Sequence, residues 1–115
     1  MPRIVNNITN ESIQRHVLIY NDIETILIIR YASQVGAWFI DVETGDRTAN
    51  GIKLAVGVQH IASRNMPCDF TVVDNSNQGI DPFRADDFST GRCTLYLLDD
   101  QDMAEIRGQE VEVNG

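Results

Sequence analysis

Thr25-Ile26-Leu27-Ile28-Ile29-Arg30-Tyr31, followed across Ala32-Ser33-Gln34-Val35-Gly36 by Ala37-Trp38-Phe39-Ile40-Asp41-Val42, is the stretch that decides the fold. Strand side chains alternate between faces, so Thr25, Leu27, Ile29 and Tyr31 project one way and Ile26, Ile28 and Arg30 the other. The segment is apolar on both sides, whereas an antiparallel strand with one wet face alternates apolar with polar residues. In the next strand Trp38, Ile40 and Val42 share a face, with Ala37, Phe39 and Asp41 opposite. A chain of 115 residues builds one core. The second apolar face is left looking for a cover.

Outward from this pair the pattern repeats. His16 to Tyr20 reads as a strand, through Val17, Leu18, Ile19 and Tyr20, and Asn21-Asp22 supplies turn residues for a hairpin into the segment from Glu24 to Tyr31. Thr44-Gly45-Asp46 makes a tight turn with Gly45 at positive φ, and a strand returns from Arg47 to Leu54. Asn50-Gly51 within it marks a bulge or sharp bend. Residues 55–67 fit helical and strand periods about equally, and read as an extended segment with a short helical turn. Phe70-Thr71-Val72-Val73 is a strand, residues 75–91 are a loop punctuated by Gly79, Pro82 and Gly91, and Cys93 to Leu98 is the last core strand.

Six or seven short strands, with no long amphipathic helix and no internal repeat, predict an all-β domain, a small antiparallel sandwich or barrel. The domain spans residues 1–98 with an N-terminal arm, and residues 99–115 form an acidic C-terminal tail. In the tail Asp102-Met103-Ala104-Glu105 is spaced as a capping box for a short helical turn, and Glu110-Val111-Glu112-Val113 alternates like an edge strand, either a free end, the commoner outcome, or an arm that pairs with a neighbouring chain. The core anchors are Trp38, Ile40, Leu27, Ile29, Val72, Leu95 and Leu97. The candidate protein-interface residues are Ile4, Ile26, Ile28, Phe39, Met103, Ile106, Val111 and Val113.

Composition narrows function. Nine basic against 17 acidic residues give a net charge of −8, and Lys53 is the single lysine. Phosphate-backbone binders cluster Lys and Arg, so specific nucleic-acid binding and attraction to anionic membranes are not expected. Two cysteines, Cys68 and Cys93, make no secreted disulfide framework. The N-terminal residues lack a signal-peptide apolar core and no run reaches membrane-spanning length, so synthesis in a cytoplasm is expected.

Candidate chemical sites are weak. Asp74-Asn75-Ser76-Asn77-Gln78-Gly79 echoes a calcium loop, but its twelfth place is Ala85 where a bidentate Glu is required, so it reads as a solvated turn. Asp99-Asp100-Gln101-Asp102 reads as an acidic cap, to which Asp86 and Asp87 could add without a convergent pattern. His16 and His60 have no partners at zinc spacing. Ser63, Ser89 and Cys68 lack the context of an activated nucleophile, and the glycines match no phosphate-binding loop. No cofactor or metal is expected. Trp38 has two readings, a core anchor or a half-exposed platform for a sugar ring.

The order of these pieces resembles the baseplate plug proteins of contractile-tailed phages related to the cyanophage plug. The likeness rests on Asn10-Glu11-Ser12-Ile13-Gln14-Arg15, Leu27-Ile28-Ile29-Arg30-Tyr31, Gly36-Ala37-Trp38-Phe39-Ile40-Asp41-Val42 and the Thr44-Gly45 turn. It continues through Gly51-Ile52-Lys53-Leu54-Ala55-Val56-Gly57, Phe70-Thr71-Val72-Val73-Asp74 and Thr94-Leu95-Tyr96-Leu97, and departs at Met66-Pro67-Cys68 and beyond Leu98. It implies a non-enzymatic virion protein near the tail axis, made in the host bacterial cytoplasm. Its partners would be hub, spike and tube proteins, with copies arranged in threefold or sixfold symmetry. The alternative from another class is a free-standing carbohydrate-binding β module using Trp38; a small hydrolase would need two convergent carboxylates.

Overall fold

The computed structural model describes residues 3–20, 22–57 and 68–98. Seven antiparallel strands lie in two sheets: β1 (Arg3–Ile4), β2 (Ile13–Tyr20), β3 (Ile23–Ala32), β4 (Ala37–Thr44), β5 (Arg47–Lys53), β6 (Asp69–Asp74) and β7 (Cys93–Leu98). One sheet has the order β2-β3-β4-β5 and the other β1-β7-β6. The result is an all-β sandwich, as the alternating sequence requires.

The four-stranded sheet is a meander because every link is short. β2 and β3 meet across residues 21–22, with Tyr20 opposite Ile23 and Asp22 at φ +63°. Gly45 takes φ +59° between β4 and β5. The register between β4 and β5 shifts between Ile40 and Val42, where Gly51 has φ +68° and donates its amide to the Asp41 carboxylate at 2.7 Å. A Cβ at Gly51 would meet no atom, so the cost of replacing it is purely conformational. Gly51→Ala is expected to lose about 1 kcal/mol in a denaturant melt.

The core fills from both sheets. Leu27 opposite Val42, and Ile29 opposite Ile40, tile the inner face of the larger sheet, with Trp38 beyond them. Phe70 opposite Leu97, and Val72 opposite Leu95, tile the smaller one. All seven core anchors are buried, as are both cysteines, which are free. Burial pushes the Cys93 thiol up to about 11.

The N-terminal arm joins the sheets. Arg3 and Ile4 pair with Leu97 and Tyr96, a strand the sequence reading left as an arm, and the Val5 amide continues the ladder to the Leu95 carbonyl at 2.9 Å. Val5 and Ile8 enter the core. The buried Gln14 amide then fixes the crossing, accepting from Thr9 N–H at 2.9 Å and donating to the Thr9 and Glu11 carbonyls at 2.7 and 2.9 Å. Beyond β5, Val56 makes a parallel bridge to Val72. The helical turn expected within residues 58–67 lies outside the described residues, as does the tail of 99–115.

Candidate interaction surface

The outward face of the larger sheet follows from its register. Ile13, Arg30, Phe39 and Lys53 make one cross-strand row; Arg15, Ile28 and Asp41 the next; Val17, Ile26, Glu43 and Thr48 a third. Apolar and charged side chains therefore alternate diagonally, and cross-strand neighbours touch at this spacing. Arg30 pairs with Asp41 at 2.9 Å. Ile26, Ile28 and Phe39 are half-buried by these neighbours, while Val17, Ile13 and Ile19 on β2 are exposed, the last two by about two thirds (66 and 64%). Ile4 projects from the other sheet and is also exposed. The remaining candidate interface residues, Met103, Ile106, Val111 and Val113, lie outside the described residues.

Residues 75–92 form a cap whose first part, 75–80, is exposed as the solvated-turn reading expects, while Pro82, Asp87 and Phe88 are buried. Its centre is Arg92, which donates from Nε and Nη2 to the buried Asp87 carboxylate at 2.8 and 2.9 Å and lies 3.3 Å from Asp74. The same guanidinium donates to the Ile80 and Asp81 carbonyls at 3.0 Å each. Burial pushes the Asp87 carboxyl up, but Arg92 and the Arg84 and Phe83 amides outweigh it and hold the group at about 2. Asp74 falls well below the usual carboxylate range, chiefly through the Ser76 hydroxyl, then the Ile80 amide. The calcium-like Asp74-Asn75-Ser76 is thus an Asx turn whose first carboxylate is buried and consumed by its own loop. Sequence reasoning missed this cluster; its signal was an Asp-x-Ser turn and a lone arginine after an acidic loop.

The cap also settles Trp38. Its indole is fully buried (0% exposed), donates to the Arg84 carbonyl at 2.9 Å, and meets Phe88 edge-on at 5.1 Å between centroids. The Tyr31 ring lies 5.3 Å away and its hydroxyl donates to the Phe83 carbonyl at 2.9 Å. A covered indole cannot stack on a sugar, which removes the basis of the carbohydrate reading.

Other chemistry is sparse. A groove of about 560 Å³ runs between the arm (Ile4 to Asn10) and Phe88, Ser89 and β7. Among its lining residues Cys93 alone carries a titratable side chain. Ser89 donates its hydroxyl to the Asp86 main-chain carbonyl. His16 lies on β2 within 3.1 Å of the Gln14 amide oxygen, and burial lowers its pKa. Among the described residues, no group of three or more His, Cys, Asp and Glu gathers to hold a metal. His60 and Ser63 lie outside them.

What the structure offers is a patterned β surface stiffened by a buried ionic cap. Residues 4–100 match the family model described as cyanophage baseplate Pam3 plug gp18. The chain belongs to this baseplate plug family. A search of curated proteins finds no match. The match begins at Ile4, within β1, and closes just past β7, so it spans the sandwich, and family membership makes the chain a phage tail component.

Proposed function

We propose that this plug is a non-enzymatic structural part of the baseplate, placed near the tail axis and contacting hub, spike and tube proteins. Residues 1–98 serve as the building block and residues 99–115 as an acidic extension. The copies stand in threefold or sixfold symmetry, made in the host bacterial cytoplasm before joining the virion tail. One observation carries the reading: the outward face of β2, β3 and β4 bears Val17, Ile26, Ile28 and Phe39 with no second layer of described residues over it. On this face those apolar side chains alternate with Arg15, Arg30, Asp41 and Glu43, a mixture of apolar anchors and charged groups that a partner surface of matching pattern can cover.

The test is co-expression with the hub, spike and tube proteins of the same phage, followed by affinity capture. The wild-type chain is expected to retain at least one of them. Ile26→Thr combined with Ile28→Thr keeps β-branched residues at both places, so the melt should stay within a few degrees while recovery falls at least tenfold. Undiminished recovery from the double variant would refute the assignment of this face.

A further inference from the structure

The outward edge of β2 is a second surface, distinct from the sheet face. β2 is terminal in its sheet. The Tyr31 amide donates to the Ser12 carbonyl at 2.8 Å, and Ile13 stands opposite Arg30. Ser12 and Tyr31 therefore form a bonded pair, and bonded pairs alternate along an antiparallel ladder. Gln14, His16 and Leu18 turn their backbone groups toward β3, and Ile13, Arg15, Val17 and Ile19 turn theirs to the open side. The Arg3 guanidinium confirms the direction by donating to the Ile19 carbonyl at 2.8 Å. Among the described residues, nothing bonds the open-side groups of Ile13, Arg15 and Val17. β2 has no proline, lysine or bulge to guard this edge, and such an edge is a template for strand addition.

We infer that this edge receives residues 110–113 of a second copy as an added strand. Three observations select that occupant. Glu110-Val111-Glu112-Val113 alternates with strand period. Arg15 is the charged residue of β2, which carries no carboxylate, and Arg3 stands at its end, whereas residues 99–115 hold six carboxylates against the single Arg107. The tail also starts in the right place: Leu97 is the register partner of Arg3, so the chain leaves β7 beside the Ile19 end of the edge. The 11 residues from Asp99 to Gln109 can span about 40 Å, enough to reach a neighbour. Pairing two β2 edges with each other would instead bring two copies of Arg15 to one junction with no carboxylate on either strand to offset them. Ile13 and Ile19 are largely exposed in the single chain, so the edge is open to a second copy. Each copy gives one strand and receives one, a head-to-tail contact that can close into a ring.

Sedimentation of the full chain over a range of concentrations tests this. Val17→Pro removes an open-side N–H and leaves the β2–β3 ladder whole; Val111→Pro disables the donor and replaces no residue of the seven strands described. The wild type is expected to show a mass of several chains, and each variant alone the mass of one. Mixed, they should give a one-to-one pair, since the Val17→Pro chain still has its tail and the Val111→Pro chain its edge. A wild type that stays monomeric, a Val111→Pro chain with wild-type mass, or a mixture that stays monomeric would overturn the proposal. None of these results depends on capture of hub, spike or tube proteins, so the plug reading stands or falls separately.

Discussion

Trp38→Ala is expected to lower the stability of the sandwich by about 3–5 kcal/mol, enough to drop Tm by more than about 10 °C in a thermal melt. The indole is the largest fully buried side chain and lies where the inner face of β4 meets the cap. Its removal takes away an edge-on contact with Phe88, the tilted contact with Tyr31, and the donor that the Arg84 carbonyl uses. Aromatic pairs add about 0.5–1.5 kcal/mol beyond their buried area, so the loss exceeds simple transfer. Trp38→Phe keeps most of the ring contact and leaves an exposed-residue carbonyl that water can serve, so it should cost well under half as much. If the alanine variant melted near the wild-type temperature, Trp38 would have to lie at a surface, and the packing described for residues 83–88 would be wrong.

How far the sequence carried depends on the range of the forces involved. The meander was legible because its signals are local. Alternation set the strands, Asn21-Asp22 and Gly45 set the turns, and Gly51 marked the register shift. Parity placed Trp38 with Ile40 and Val42, but which face lies inside is decided by the second sheet, whose β6 begins 31 positions after Trp38, at Asp69. β1 was missed because two residues carry no period; Arg3 and Ile4 become a strand only through Leu97 and Tyr96. The cap was missed for a related reason. Asp74 and Arg92 are brought together by the loop between them, and an acidic loop read without its arginine looks like a solvated turn or a failed calcium site. That Ile26, Ile28 and Phe39 share the outward face was legible from two-sided apolarity.

The cap carries the second large effect. Arg92→Met should destabilise the domain by about 3–5 kcal/mol, because it leaves Asp87 buried with no cation and strips donors from the Ile80 and Asp81 carbonyls. The same ionic core predicts how the protein responds to acid. Asp87 has an ordinary value of 3.8 and is held at about 2 in the fold, so the folded chain binds its proton less readily than the unfolded chain. Its contribution is therefore complete above about pH 4 and is lost as pH falls toward 2, a change of about 2 kcal/mol. Asp74, also depressed, works in the same direction. Asp87→Asn should lower stability at neutral pH by about 2 kcal/mol and flatten, without abolishing, the fall between pH 4 and 2. Denaturant melts at pH 7, 4 and 2.5 read both effects. A wild type whose stability is level across that interval would mean that Asp87 is not bound by Arg92 in solution. The cap over Trp38 would then lack its anchor, and the Trp38→Ala loss should shrink with it, since both depend on the same loop staying closed.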